Sequence, residues 1–166
     1  LTGDHGESLM EDGIFLHSNN IYDDQIRYPM AVRAAGRAKP GTIEDQYSMN
    51  MQTKLLQVLS DTNAEPKALA DYVKNYGESI YVRNCQGTVD GVRSNNNYKI
   101  VSDISGYRLY NVAADPLHLN DLRLLKPDIF FAMKEMLLQA KSYPQNLLAC
   151  DSTEKRGAPL HSKEKT

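Results

Sequence analysis

The chain has 166 residues, 41% of them hydrophobic, and a formal net charge of −2 at neutral pH. This length and apolar content suffice for one buried core, and the mixed charges leave no basic face for nucleic acid or an anionic membrane surface. The longest apolar runs are a few residues, so this segment is not expected to contain a membrane span.

The first block of the chain combines a polar loop with a short helix. Thr2 to Gly6 is typical of a strand end that turns into a loop. Asn19 or Asn20 can cap a helix over residues 21–26. Pro29 ends that helix, and Met30-Ala31-Val32 predicts a short buried strand.

The second block follows the breaker run Lys39-Pro40-Gly41 and is predicted to be helical. One helix is expected over residues 46–59 and a second over residues 67–75, between Pro66 and Gly77. The apolar stripe of the first of these helices consists of Met51, Leu55, Val58 and Leu59.

The third block changes to β-strand patterns. Short runs rich in Val, Ile and Tyr, separated by Gly and Asn turns, predict an antiparallel sheet with one solvent-exposed face. The predicted strands are residues 79–83, 91–93, 98–101 and 107–112.

A longer helix is predicted after the strands, from Pro127 to about Lys141, because apolar residues there recur at helical spacing. From Ser152 onward the chain is polar, charged and interrupted by Gly and Pro, which is typical of a mobile tail. The expected apolar stripe of the helix is Leu125, Ile129, Met133, Met136 and Ala140.

The two cysteines, Cys85 and Cys150, are far apart and lack the spacing of a zinc knuckle or a redox motif. One disulfide and two free thiols both agree with the sequence.

Asp4 and His5 stand directly after the first predicted strand, where loops at the carboxyl end of an α/β sheet form a crevice. A carboxylate and an imidazole can ligate one divalent cation, and Gly6 lets the backbone turn sharply between them and the next residues. His17 follows twelve residues after His5 and can act as a cation or proton donor toward an anionic substrate. By themselves these residues also fit a solvated turn and a packed histidine.

Two segments of the chain resemble the sulfatase family of the alkaline-phosphatase superfamily, and together they span roughly residues 1–140. Family members carry a similar Asp-His-Gly-Glu loop and a similar closing stretch, in the same order. Met10 and Asp12 depart from the usual Gly and His of the loop, and His118 takes a usual Glu position. The first segment is Thr2-Gly3-Asp4-His5-Gly6-Glu7 through His17 to Ile21-Tyr22-Asp23-Asp24-Gln25-Ile26-Arg27-Tyr28-Pro29, and the second is Gly91-Val92-Arg93, Tyr98-Lys99-Ile100 and Leu109-Tyr110-Asn111-Val112-Ala113-Ala114-Asp115-Pro116.

The resemblance implies roles for three residues and a cofactor. Asp4 and His5 correspond to metal ligands, and His17 to a contact of the transferred group or its leaving oxygen. Calcium is the ion expected from the family, with manganese or zinc as alternatives because His5 replaces a common Asn. The family's formylglycine nucleophile is expected upstream, since neither Cys85 nor Cys150 has its sequence context.

The resemblance also implies the fold class. Residues 1–76 are expected to form the last part of an alkaline-phosphatase-like mixed α/β sandwich, and residues 77–143 a small C-terminal antiparallel sheet with one packed helix. Residues 144–166 form the polar tail. Loops of the small domain shape the substrate pocket in this family, so Arg93 and Lys99 are substrate-binding candidates, with exposed strand faces as the ordinary alternative.

The expected function is that of a fragment of a metal-dependent sulfatase-like hydrolase, acting on a small-molecule or glycan sulfate ester and inactive as an isolated chain. One alternative is a phosphoethanolamine or other phosphoryl transferase of the same superfamily, whose metal segment is also similar to residues 4–17. A second alternative is a non-catalytic sulfatase-like binding module. The residue type of the upstream nucleophile would distinguish the sulfatase from the phosphoryl transferase.

Overall fold

The structure, a computed structural model, describes residues 1–11, 13, 15–17, 20–33, 41–42, 46–49, 52–61 and 79–142. None of the helices in these ranges is both long and apolar enough to cross a membrane. The elements, in chain order, are β1 Ser8–Leu9, β2 Phe15–Leu16, α1 Asp23–Ile26, α2 Gln52–Ser60, β3 Ser79–Arg83, β4 Asp90–Ser94, β5 Tyr98–Asp103, β6 Gly106–Asn111 and α3 Pro127–Ser142.

The antiparallel sheet predicted for the third block is confirmed. Its four strands are hydrogen-bonded in the order β3-β4-β5-β6, so each strand pairs with its neighbour along the chain. The turn between β4 and β5 places Asn97 at φ 67°, and the turn before β6 places Gly106 at φ 106°. Asn and Gly tolerate this left-handed region best, which explains why the strand breaks fall at these residues.

Helix α3 covers one face of the sheet. Val92, Ile100 and Leu109 lie opposite one another across three strands and pack with Met133 and Leu137 of the helix. The helix was predicted correctly, but its buried stripe was placed partly wrong. Positions 129, 133 and 137 follow the four-residue spacing of one helix face, whereas Leu125 and Met136 are 73% and 44% exposed.

The opposite face of the sheet was predicted to be solvent-exposed, and this prediction is wrong. Ile21, which precedes α1, packs there against Val101 and Tyr110 and is fully buried. The first block of the chain therefore covers part of the second face, so both faces of the sheet carry packed residues. The local alternation of polar and apolar residues cannot reveal that a segment far away in the sequence packs on this face.

Charged residues fasten the end of α3 to the sheet. Asp90 of β4 is buried, and its carboxylate accepts hydrogen bonds from the Lys141 ammonium at 2.7 Å and the Tyr81 hydroxyl at 2.5 Å. Burial and the neighbouring Asp90 carboxylate raise the pKa of Tyr81 to about 12, so this phenol stays protonated as a donor. Arg83 also pairs with Asp90 at 3.3 Å.

The N-terminal residues pair with the segment after α1, but only as an isolated antiparallel bridge between Thr2 and Met30. The strand predicted at 30–32 is reduced to this bridge. Helix α1 has no side-chain cap, since the Asn20 carboxamide oxygen accepts instead from the backbone N–H of Ile21, its next neighbour.

The predicted second-block helix is confirmed as α2, with Leu55 buried, but its predicted start at residue 46 is wrong, since residues 46–48 are not helical and the described helix begins at Gln52. The helix predicted at 67–75, the predicted boundary between residues 76 and 77, and the polar tail lie outside the described residues. Cys85 is disulfide-bonded, so the disulfide is the alternative that the structure adopts.

Candidate functional site

The Asp4-His5 loop is seated directly on α1. The backbone N–H of Gly6 donates to the Gln25 carbonyl at 2.9 Å. A Cβ atom at Gly6 would lie only 2.0 Å from the Asp24 carbonyl oxygen and 2.3 Å from that of Arg27. Only glycine allows this close approach, and it brings the two predicted ligands against the helix.

A short hairpin brings His17 to the same place. Strands β1 and β2 pair with Ser8 opposite Leu16, so the next positions outward are Glu7 and His17. The Nδ1 atom of His17 lies 3.0 Å from Oε2 and 3.2 Å from Oε1 of Glu7. Since directly opposite residues of an antiparallel pair have adjacent side chains, the hairpin register creates this contact.

His5 completes a cluster with these two residues. The rings of His5 and His17 lie 3.8 Å apart between centroids, tilted by 32°. Potential ligand atoms of His5, Glu7 and His17 all lie within 4.8 Å of one another. The structure thus brings together His5 and His17, two of the residues singled out in the sequence. It adds Glu7, to which the sequence analysis assigned no chemical role.

Asp4 lies at the edge of this cluster. Its carboxylate accepts from the His5 backbone N–H at 3.2 Å and lies 3.8 Å from the Nε2 atom of His5, with the Asp4 side chain 89% exposed. Asp4 therefore faces outward from the chain, next to His5 but apart from the Glu7–His17 contact.

In both histidines the Nδ1 atom faces an oxygen acceptor. The Nδ1 atom of His5 lies 2.7 Å from the Gly6 carbonyl oxygen, and that of His17 faces the Glu7 carboxylate. An oxygen of either kind only accepts, so each Nδ1 carries the proton and donates. In a neutral imidazole this leaves the lone pair on Nε2. Such an outer hydrogen bond to carbonyl or carboxylate is the usual arrangement behind a metal-binding histidine.

Arg93 and Lys99 lie elsewhere, on the sheet face that carries Ile21. The Lys99 ammonium is completely buried, donates to the Ile21 carbonyl and lies 2.9 Å from Oδ1 of Asp23. Arg93 donates to the other oxygen of Asp23 at 3.1 Å and to the Gln46 side-chain carbonyl at 2.6 Å. Both candidate substrate contacts are thus engaged with α1 and Gln46.

The charges of this buried group depend on each other. Burial alone would raise the pKa of Asp23, but Lys99 and Arg93 outweigh it and hold that pKa below its ordinary value. Burial lowers the pKa of Lys99, and Asp23 opposes that shift. Nothing local in the sequence marks Asp23 as the partner of residues 70 and 76 positions further along the chain.

His118 is a further, half-buried group, to which the sequence analysis assigned no chemical role. Its ring stacks on Tyr110 at 4.6 Å and lies 4.8 Å from the ring of Tyr22. Its buried Nε2 atom makes no hydrogen bond within the described part of the chain. Burial and the nearby Lys99 charge lower its pKa from 6.5 to about 4, so the fold holds His118 neutral.

This shift predicts a loss of stability in weak acid. A histidine with a lowered pKa contributes stability that is complete above about pH 6.5 and is lost as the pH falls toward 4. Between pH 7.5 and 4.5 we expect the contribution of His118 to fall by an amount on the order of 2 kcal/mol, allowing for its partial exposure. Urea denaturation of wild type and His118→Phe at both pH values measures it. Parallel pH profiles for the two proteins would contradict the prediction.

Comparisons with known proteins extend the structural description. No family model and no curated protein sequence matches the chain. A crystal structure described as the "putative sulfatase yidJ" from Bacteroides fragilis is similar to it, with a TM-score of 0.62 and 15% sequence identity. The match covers 84% of this chain and 34% of that one, so this chain spans about a third of the relative's length.

At this sequence identity the likeness concerns the fold. It confirms the predicted fold class: the chain has the mixed α/β architecture, with a small antiparallel sheet and a packed helix, of part of a sulfatase structure. A second structure comes from work on the metabolism of multiple glycosaminoglycans by Bacteroides thetaiotaomicron and has 19% sequence identity. The match covers 50% of this chain and 20% of that one, and its TM-score of 0.36 is too low to support a conclusion.

Proposed function

We propose that this chain is part of a metal-dependent sulfatase-like hydrolase that cleaves sulfate esters of small molecules or glycans. The observation that carries the proposal is the cluster of His5, Glu7 and His17, found in a chain with part of a sulfatase fold. The cluster provides donors for a divalent cation next to an imidazole, and this combination suits an anionic ester.

The donor chemistry of the loop fits a divalent cation. Asp4 and His5 would hold it, with the His5 ring fixed by its bond to the Gly6 carbonyl. When bound, the cation supplies Lewis-acid polarisation of the sulfuryl oxygens. His17, adjacent to His5, would stabilise the negative charge that develops on the departing oxygen.

The nucleophile expected from the resemblance does not fit any described residue of this chain. Formylglycine derives from a cysteine or serine in a specific context, and Cys85 is disulfide-bonded and followed by Gln86-Gly87. We therefore derive no attack step from these residues. The proposal places the nucleophile in a preceding segment of a longer protein.

The isolated 166-residue chain is accordingly predicted to show no turnover of 4-nitrophenyl sulfate above the buffer rate. A longer protein that contains this chain and the nucleophile segment should hydrolyse it, and His17→Ala should reduce its kcat by about 100-fold or more, the usual loss for a group that assists departure. Release of 4-nitrophenol measures both.

Two outcomes would contradict the proposal. Sulfate release by the isolated chain would show that these 166 residues contain a nucleophile. Transfer or hydrolysis of phosphate esters by the longer protein, without sulfate ester cleavage, would favour the phosphoryl transferase instead. Glu135→Gln, an exposed carboxylate of α3, is a control that should keep full activity.

A further inference from the structure

We infer that His5, Glu7 and His17 form a three-residue cation site that selects zinc-class ions over calcium. The inference rests on the proposed function for the use of the ion, but the site itself is argued from the geometry of this chain alone. It adds Glu7 and His17 to the metal-binding residues. His17 then acts on the substrate through the bound ion and does not contact it directly.

The first step concerns the positions of the donors. Glu7 precedes β1 and His17 follows β2, and the strand register places these positions opposite each other. His5 reaches the same point from the Gly6 turn, held by α1. The hairpin and the anchored loop thus bring possible ligand atoms of three residues to within 4.8 Å of one another.

The second step concerns protonation. Each Nδ1–H already donates to an oxygen, to the Gly6 carbonyl in His5 and to the Glu7 carboxylate in His17. The Nε2 atom of His5 therefore carries a lone pair in the neutral ring, the form in which histidine binds metal. In His17 the Nδ1 atom lies 3.0 Å from the Glu7 carboxylate, so an ion that replaces the Nδ1 proton is bound by both groups, and the neutral His17 ring then carries its proton on Nε2.

The third step concerns selectivity. Calcium takes six to eight oxygen ligands, whereas imidazole nitrogen suits zinc and its neighbours among the transition metals. Two imidazoles and one carboxylate also match the three-ligand set of many catalytic zinc sites, in which a fourth position stays open for water or substrate. The donors of this chain thus differ from those that calcium, the ion expected from the sequence resemblance, would require.

The test is metal binding by the untagged 166-residue chain, with zinc and calcium each titrated by calorimetry or against a fluorescent chelator. We expect one equivalent of zinc to bind, and calcium to bind at least 100-fold more weakly. Glu7→Gln and His17→Gln should each weaken zinc binding by about tenfold or more, the range seen when a ligand or its supporting carboxylate is lost. The matched control Glu135→Gln, an exposed carboxylate of α3, should bind zinc as the wild type does.

Glu7 and His17 are about one-third exposed, so their replacement leaves no core cavity, and circular dichroism verifies that each variant is folded. Failure of the folded chain to bind zinc, tighter binding of calcium, or unchanged zinc affinity in Glu7→Gln would overturn the inference. Zinc binding at these residues combined with a longer protein that lacks sulfatase activity would retain the inference and reject the proposed function. If the longer protein instead shows calcium-dependent sulfatase activity that Glu7→Gln leaves unchanged, the proposed function is retained and the inference is rejected.

Discussion

Replacement of Asp23 by Asn is expected to lower the free energy of unfolding by about 3–5 kcal/mol, the cost of removing one partner from a buried ion pair. The Asp23 carboxylate is the counter-charge of both the fully buried Lys99 ammonium and the Arg93 guanidinium. Without it, Lys99 must either remain charged next to one backbone carbonyl or lose its proton. Urea denaturation monitored by circular dichroism measures the change.

Two further variants separate charge from packing at this position. Asp128→Asn changes an exposed carboxylate in the first turn of α3 and should cost less than about 1 kcal/mol. The double variant Asp23→Asn with Lys99→Met should recover much of the loss, because an apolar side chain needs no counter-charge. A loss of less than about 1 kcal/mol in Asp23→Asn, as for a surface ion pair, would show that the pair contributes little.

Leu137→Ala is expected to lower the free energy of unfolding by about 3 kcal/mol, because a deleted buried leucine loses its burial energy and leaves a cavity. Leu137 is completely buried between α3 and the sheet. Its neighbour Leu138 is 43% exposed, and Leu138→Ala should cost less than about 1 kcal/mol. Chemical denaturation of the two variants under the same conditions compares them.

The adjacent leucines make this comparison sharp, since both variants remove the same atoms from the same helix. Equal losses at positions 137 and 138 would mean that α3 does not pack on the sheet through the face described above. A large loss at Leu138 alone would place the buried face of α3 on another side of the helix, away from Met133 and Leu137.

Local sequence patterns predicted the small sheet and α3 because their signals are local. Strand breaks fall at residues such as Asn97 and Gly106, which the left-handed turn conformation favours, and α3 starts at Pro127. The cover on the second sheet face was missed for the opposite reason. It arises from Ile21, about 80 residues before its partners Val101 and Tyr110, and no local period encodes such a contact.

The buried charges show the same limit. Lys99 and Arg93 were assigned to exposed strand faces or to a substrate, because a charged residue in an alternating strand normally faces water. The structure places them against Asp23, where ion pairing compensates for burial. The signal that could have suggested it is the residue pattern itself: Arg93 and Lys99 are cross-strand neighbours, and two like charges side by side need a shared anion.

In the candidate site, the family resemblance and the spacing of the histidines led to Asp4, His5 and His17. Glu7 was given no chemical role, since a single glutamate in a polar turn has no distinguishing pattern. What gives it a partner is the pairing of two very short strands, Ser8–Leu9 and Phe15–Leu16. Strands of two residues are too short for any alternation to predict.

The hairpin between these strands also suggests where a reporter group could be attached. The contact of Glu7 with His17 depends on which residues pair in the ladder. Gly13, within that connection, has open space around the position of a side chain. A fluorophore carried by a short, flexible insertion at Gly13 would therefore sit at the closed end of the hairpin without entering the ladder, and a change in its emission would report a change in strand pairing when a cation binds.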